Sequence, residues 1–313
     1  MQVAIIGIVN HDTIRMAGGE ELQDLGGILY NAAVLANLMD VADTIHPISR
    51  IGQDCYDWLA RLLAPYPNVD LSGIALAWEG TSRNTIRYDA ALEKVERLIN
   101  RLAPISFSQI EPFLDSDALL INFIVGNDID RYTMQTLRAR AHGLVYLDVH
   151  NLCLGIDADG YRFHRTPEHW ETWMGLADVV QMNEIETRLL AGRDMTGEDD
   201  FIDFGRRIVD LGPSVCIATR GRLGAITVYR THEDGTEALV CPPEPVERVV
   251  DTTGCGDAFA AGFLAEYLIS HDPVRATRLA NWTAAFNCTL AGLSEVGRFR
   301  EAKNRRAEIS FTD

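Results

Sequence analysis

The segment Asp251-Thr252-Thr253-Gly254-Cys255-Gly256-Asp257-Ala258-Phe259-Ala260-Ala261-Gly262-Phe263 follows a strand-like Val246–Val250 and opens a helix-like run to Ser270. Small residues allow a tight turn there, and the start of the helix behind them carries free N–H groups and a partial positive charge. Such a turn attracts phosphate. Asp257 falls in the first helical turn, where the dipole favours an acid and where a carboxylate can take a proton from a hydroxyl held beside the phosphate. A base next to an anion hole points to phosphoryl transfer.

Taken by themselves, Gly254 and Gly256 also describe a plain loop, and Asp257 a helix-start acid. The whole string, however, resembles the second signature of the ribokinase (PfkB) family of small-molecule kinases, DTxGAGDxFxxG, with Cys255 in place of its alanine. The resemblance implies that the backbone of Gly254, Cys255 and Gly256 is the anion hole and that Asp257 is the catalytic base.

Composition removes other chemistries. The 313 residues, 47% of them apolar, suffice for one large α/β domain with a small appendage. A formal net charge of -17 repels nucleic acid and anionic membrane, so neither is expected as a partner. The only lysines are Lys94, in a helix-like Asp89–Leu102, and Lys303, in the charged tail. A Walker A loop, a protein-kinase lysine and a Schiff base each need a placed Lys. The six cysteines lack any Cys-x-x-Cys pair, and no apolar run reaches membrane-span length. A cytoplasmic protein with reduced thiols is expected.

The N-terminal elements bear on an acceptor. Val3–Val9 reads as a buried strand ending in Asn10-His11-Asp12, and the C-terminal ends of parallel strands are where α/β proteins hold ligands. Asp12 is either a solvated loop acid or a hydroxyl acceptor; the resemblance implies the second. Gly26-Gly27 precedes an amphipathic helix, Ala32–Met39, and Asn31 offers a donor and an acceptor to a polyol. This resembles the family's first signature, which implies that Gly26, Gly27 and Asn31 hold the substrate. Ile28 stands where ribose-specific members carry Lys, which counts against free ribose. Gly52-Gln53-Asp54 resembles the family's G-x-D element, with a structural role. Segments near 13–24 and 71–88 are expected to form a small β-lid, in which Arg83 and Arg87 are equally surface arginines or substrate contacts.

Further along, Ala118–Val125, Leu144–Asp148, Val179–Gln181 and Val215–Thr219 are strands between helical stretches, the pattern of a parallel sheet with crossover helices. Asp148 and His150 sit at a strand end resembling DxN-x-R, but the Asn is displaced and the Arg is missing. They are ligand contacts or a buried, satisfied pair. Asn183 and Glu186 have capping-box spacing and also match the family's N-x-x-E, which implies a place beside Mg²⁺ and phosphate. Thr219 and Gly221 resemble the family's nucleotide-side turn, and Asn281, on a helix-like Ala276–Leu290, is the candidate adenine neighbour. Asp251 and the Thr253 carbonyl resemble a K⁺ site.

The resemblance runs from the first strand to Gly292. It implies a three-layer α/β/α fold with a mainly parallel sheet and a β-lid, as one domain over 1–313. The implied reaction moves the γ-phosphoryl group of ATP, with Mg²⁺ and optionally K⁺, to a hydroxymethyl group of a sugar or nucleoside. A nucleoside kinase or a non-catalytic homologue are the alternatives, and a lid-mediated homodimer is open. A dinucleotide oxidoreductase is disfavoured because no G-x-G-x-x-G follows the first strand.

Overall fold

The computed structural model describes residues 1–15, 21–88, 94–231 and 235–310. The first half of the chain runs β1 (Gln2–Ile6), β2 (Asn10–Arg15), β3 (Glu21–Leu25), α1 (Leu29–Leu38), β4 (Thr44–Gly52), α2 (Gln53–Leu63), β5 (Ile74–Ala77), β6 (Ser82–Tyr88) and β7 (Lys94–Ile99). Next come α3 (Phe107–Ile110), β8 (Ala118–Asn122), α4 (Arg131–Arg140), β9 (Leu144–Asp148), β10 (Leu154–Ile156) and β11 (Arg162–His164). The remainder is α5 (Trp170–Gly175), β12 (Val179–Asn183), α6 (Glu184–Ala191), α7 (Glu198–Asp210), β13 (Val215–Thr219), β14 (Ala225–Arg230), β15 (Thr236–Cys241), α8 (Cys255–Ser270), α9 (Pro273–Asn287) and α10 (Phe299–Ser310).

Nine strands form one sheet in the order β15-β14-β13-β12-β9-β8-β1-β4-β5. Every neighbouring pair from β13 to β5 is parallel, and β14 and β15 add an antiparallel edge. The central strands are buried along nearly their whole length and mostly apolar, as strands covered on both faces must be, with polar residues gathered toward their C-terminal ends. Neighbouring residues of β14 show both covers. Thr227 hydrogen-bonds Thr277 of α9. Next to it, Val228 lies under Gly205 of α7, where a side chain would collide with it. Successive strand residues face opposite ways, so helices cover both sides and the fold has three layers.

A second sheet, in the order β3-β2-β6-β7, stands apart from the first. Its root is fastened at Asp54, which accepts from the Thr81 backbone and hydroxyl (3.1 and 2.7 Å) and from Arg83 at 2.7 Å. Between β5 and β6 the indole of Trp78 is 92% exposed.

Three expectations need correction. Residues expected as a helix over Asp89–Leu102 form β7, paired antiparallel with β6, because the apolar positions Val95, Leu98 and Ile99 serve a sheet edge; residues 89–93 lie outside the described part. Residues 16–20, within the expected 13–24 segment, also lie outside it. Val246–Val250 is not a strand: it follows Pro242, Pro243 and Pro245 and has no sheet neighbour, and Val249 and Val250 are half exposed. α1 is not amphipathic but buried on all sides, between β4 and the helices α8 and α10. Its polar residues are satisfied inside the protein, Asn37 by the Ala33 carbonyl.

Candidate active site

The C-terminal ends of four adjacent strands deliver polar side chains to one edge of the sheet: Asn122 on β8, Asp148 on β9, Gln181 and Asn183 on β12, and Thr219 on β13. Above that edge lies the N-terminus of α8. Its cap is Gly254, at φ +73°, a left-handed conformation that costs L-residues with a side chain roughly 1–2 kcal/mol. An added Cβ would also stand 2.3 Å from the Tyr30 ring, so only glycine fits. The turn is held by Asp251, which accepts from the Thr253 N–H at 2.9 Å. The first-turn amides of α8 have no carbonyl one turn back and point out of the helix end.

Asp257 is 8% exposed and is gripped twice. Asn122 Nδ2 donates to its Oδ1 at 2.6 Å, and Asn31 Nδ2 donates to its backbone carbonyl at 3.0 Å. Asn122 Nδ2 also donates to Asn31 Oδ1 at 2.9 Å, which closes a three-residue ring. Burial pushes the Asp257 carboxyl up to about 6, with the Asn122 bond pulling the other way. Gln181 Nε2 donates to the Gly256 carbonyl (3.0 Å) and to Asp148 (3.1 Å), while Tyr146 Oη donates to Gln181 Oε1. Asp148 is pushed well above the carboxylate range, first by burial and then by the charges of Glu186 and Asp257.

The other expected residues divide by geometry. Asp12 is not in a loop at the end of β1. It lies within β2 of the small sheet, and its Oδ2 packs where a Gly26 side chain would be. Gly27, at φ +70°, brings its backbone against the Ile8 carbonyl. Asn31 is fully buried with both ends of its amide engaged, one on the Asp257 carbonyl and one on Asn122. Asp148 is buried and accepts from Gln181, while His150, half-buried, has its Nδ1 3.1 Å from Asn122 Oδ1.

Asn183 and Glu186 form the expected capping box. Glu186 is 4% exposed, and burial pushes its carboxyl up to about 8. Thr219 pairs with Asn183 in register, and Gly221 follows in an exposed turn at φ +52°. Asn281 Nδ2 donates to the Pro242 carbonyl, which fastens the loop before α8. The Thr253 carbonyl accepts from Asn287 Nδ2 at 2.9 Å, while Asn287 Oδ1, buried, has no partner. Cys255 Sγ lies 2.9 Å from Cys288 Sγ, and both thiols are free. Arg83 is spent on Asp54 and His11.

Sequence reading missed Asn122, Tyr30 and the role of Gln181. A single polar residue closing the apolar run Leu119-Leu120-Ile121-Asn122 was the available signal. An open cavity lined by Asp117, Arg138, Asp178 and His271 lies at the opposite, N-terminal ends of the strands, remote from this chemistry.

The site thus sets a buried carboxylate behind a glycine-capped helix start, at the strand ends of a nine-stranded α/β sheet. Residues 148–296 match the family described as pfkB family carbohydrate kinase. Over 115 residues it is 34% identical to the deoxyribokinase of Salmonella typhi, covering 37% of this chain and 36% of that one. Over 92 residues it is 39% identical to the cytidine kinase of Thermococcus kodakarensis, 29% of each chain. The matched stretch thus spans about a third of these curated relatives.

Among solved structures, ribokinase from Thermotoga maritima superposes with TM-score 0.73 at 22% identity, over 96% of this chain and 98% of that one. A pyrophosphate-dependent kinase in the ribokinase family gives 0.76 at 19%, over 93% and 96%. The fold is that of the ribokinase family.

Proposed function

We propose that the protein is an ATP-dependent kinase that phosphorylates a hydroxymethyl group of a sugar or sugar-like acceptor. The observation that carries this is the placement of Asp257: a buried carboxylate oriented by Asn122, one turn behind the Gly254 cap. Asp257 takes the hydroxyl proton as attack begins. The amides of Gly254, Cys255 and Gly256 stabilise charge gathering on the transferred phosphoryl oxygens. Asp12, Gly26 and Gly27 hold the acceptor under a lid formed by the small sheet. Thr219 and Gly221 line the nucleotide.

Mg²⁺ fits the chemistry of the site, where burial leaves Asp148, Glu186 and Asp257 reluctant to ionise together. No three metal-binding side chains converge among the described residues, so the ion would sit on the nucleotide phosphates, reached from Glu186 and Asn183 through water. Bound there, it neutralises phosphate charge. The unpartnered Asn287 Oδ1 beside the Thr253 carbonyl, with Asp251 close in sequence, is an oxygen set that K⁺ would accept. The whole chain is read as one kinase domain, cytoplasmic, with small-molecule partners and a homodimer through the lid as its assembly. The identity to a cytidine kinase keeps nucleosides beside sugars as acceptors.

The test is donor consumption with sugars, sugar acids, sugar phosphates and nucleosides, using Mg-ATP and, separately, pyrophosphate, with and without K⁺. Acceptor-dependent ADP release is expected. ATP binding with no acceptor turned over would instead fit a non-catalytic homologue.

The raised Asp257 carboxyl sets a pH dependence. The base acts ionised, so kcat/KM is expected to be level above about pH 6 and to fall about tenfold per unit below it. Removing the hydrogen bond that favours the ionised form, in Asn122→Ala, is expected to move that inflection upward. An unmoved profile would remove Asn122 from its positioning role.

A further inference from the structure

Strand alternation places Asn10, Ser82, Asn84 and Glu96 on one face of the small sheet, with Asp12 between them: Asn10 pairs with Ser82 in register, Asp12 with Asn84, and Ile86 with Glu96. Asn10, Ser82 and Asn84 are each at most 4% exposed. Even so, Asn10 Oδ1, Ser82 Oγ and Asn84 Oδ1 have no hydrogen-bond partner.

Against this face lies Arg162 of β11, its side chain 4% exposed, with Nε also unpartnered. A buried polar atom left without a partner costs about 1–3 kcal/mol, and three stand together on this face, with Arg162 Nε, met only by Glu96 at 3.6 Å, packed against them. They await hydroxyl groups.

The same residues set the charge of that ligand. Arg162 donates to the Ile124 carbonyl at 3.0 Å and stands 3.6 Å from Glu96 Oε2, which in turn accepts from Asn84 Nδ2 at 3.3 Å. Its charge is therefore already balanced. Arg162 thus reaches the chain two residues past Asn122, the residue that holds Asp257, and Ile124 also lies 3.2 Å from the position of a Gly27 Cβ. Asp12 on the same face, and Asp148 and Asp257 at the adjoining strand ends, are acids; the bases nearby are His150, beside Asn122, and Arg101 and Arg165, whose Nε groups donate to Asn127 and to the Leu154 carbonyl.

We infer that Asn84, Glu96 and Arg162 form an acceptor-selecting subsite that admits a neutral polyhydroxy group and rejects a carboxylate or phosphate. The inference rests on the kinase reading of the neighbouring Asp257, and it narrows the acceptor to an uncharged sugar or nucleoside. An anion entering there would either displace Glu96 from Arg162 or stand against the acids Glu96 and Asp12 of the same face.

The test reads binding, so that loss of catalysis and loss of selection are told apart. Calorimetric titrations of wild type, Glu96→Gln and Arg162→Gln use D-fructose, cytidine, D-gluconate and fructose 6-phosphate, with a non-hydrolysable ATP analogue present. Wild type is expected to bind at least one neutral probe at least tenfold more tightly than either anion. Glu96→Gln, which leaves Arg162 uncompensated, is expected to shift that ratio at least tenfold toward the anions without changing nucleotide affinity.

Arg162→Gln is expected to weaken the neutral probe with no gain for the anions. Wild-type preference for an anion, or binding of none of the four, overturns the subsite without requiring any variant to fold. So does an unmoved ratio in a Glu96→Gln protein that still binds nucleotide. Neutral-probe binding without turnover would leave the subsite standing and sink the kinase reading.

Discussion

Asp257→Asn is expected to fold, bind nucleotide and turn over at least about a hundredfold more slowly than wild type, the usual cost of removing a positioned base. The substitution preserves the geometry: an Asn Oδ1 still accepts from Asn122, and the backbone carbonyl still takes Asn31. Only the basic oxygen is lost.

Stability is expected to move the opposite way. The folded-state pKa of this acid lies about two units above its ordinary value, so its ionised form costs the fold on the order of 2–3 kcal/mol at neutral pH. That cost is fully present above about pH 6 and fades as pH falls toward the ordinary carboxylate value. The mutant should therefore melt at or above the wild-type temperature at pH 7, and the gap should close near pH 4. Wild-type turnover in the mutant would end the mechanism, and a mutant melting well below wild type at pH 7 would contradict the electrostatic account.

Asp128→Ala carries the largest expected loss of stability. This fully buried carboxylate accepts from the Ile8 N–H at 2.9 Å through one oxygen, and from the Val125 and Gly126 N–H groups at 2.9 and 3.0 Å through the other. It thereby ties the chain leaving β1 to the chain leaving β8. Alanine would strand three buried donors at about 1–3 kcal/mol each, a sum comparable to the whole stability of a domain. Insoluble expression, or a melting temperature lower by about 10 °C or more, is expected. Asp128→Asn should fall between, since one of its two ends must turn an amide NH₂ toward an N–H. Near-wild-type melting of the alanine variant would show that water takes over the three donors.

These two residues also show what the sequence could reveal. Asp257 was legible because the glycine cap, the helix and the acid lie within one short segment. The parallel strands were legible because burial on both faces makes each a continuous apolar run. Asp128 was not, because its partners Ile8 and Val125 are chosen by the meeting of β1 and β8, 120 residues apart in one case.

Asn31 was read as a substrate contact, and the structure adds a tie to Asp257 that the sequence does not show. Its partner, the Asp257 carbonyl, is 226 positions away, and no local pattern records that bond. Likewise β7 carries a mixture of Lys, Val, Glu, Arg, Leu and Ile that suits a helix until β6 supplies the edge. The polar face of Asn10, Ser82 and Asn84 is scattered over two segments and becomes a surface only when β2 and β6 pair.

Trp78 gives the molecule an optical label at the root of the small sheet. Of its five tryptophans, Trp170 and Trp173 are buried, Trp58 and Trp282 are half-buried, and Trp78 alone stands in water. A collisional quencher such as acrylamide therefore removes chiefly its red-shifted emission, and the difference between quenched and unquenched spectra isolates one indole, next to the Asp54–Thr81 fastening. Any event that covers that root, whether a partner subunit or a shift of the sheet over an acceptor, becomes visible as a loss of quenching without a dye or an engineered residue.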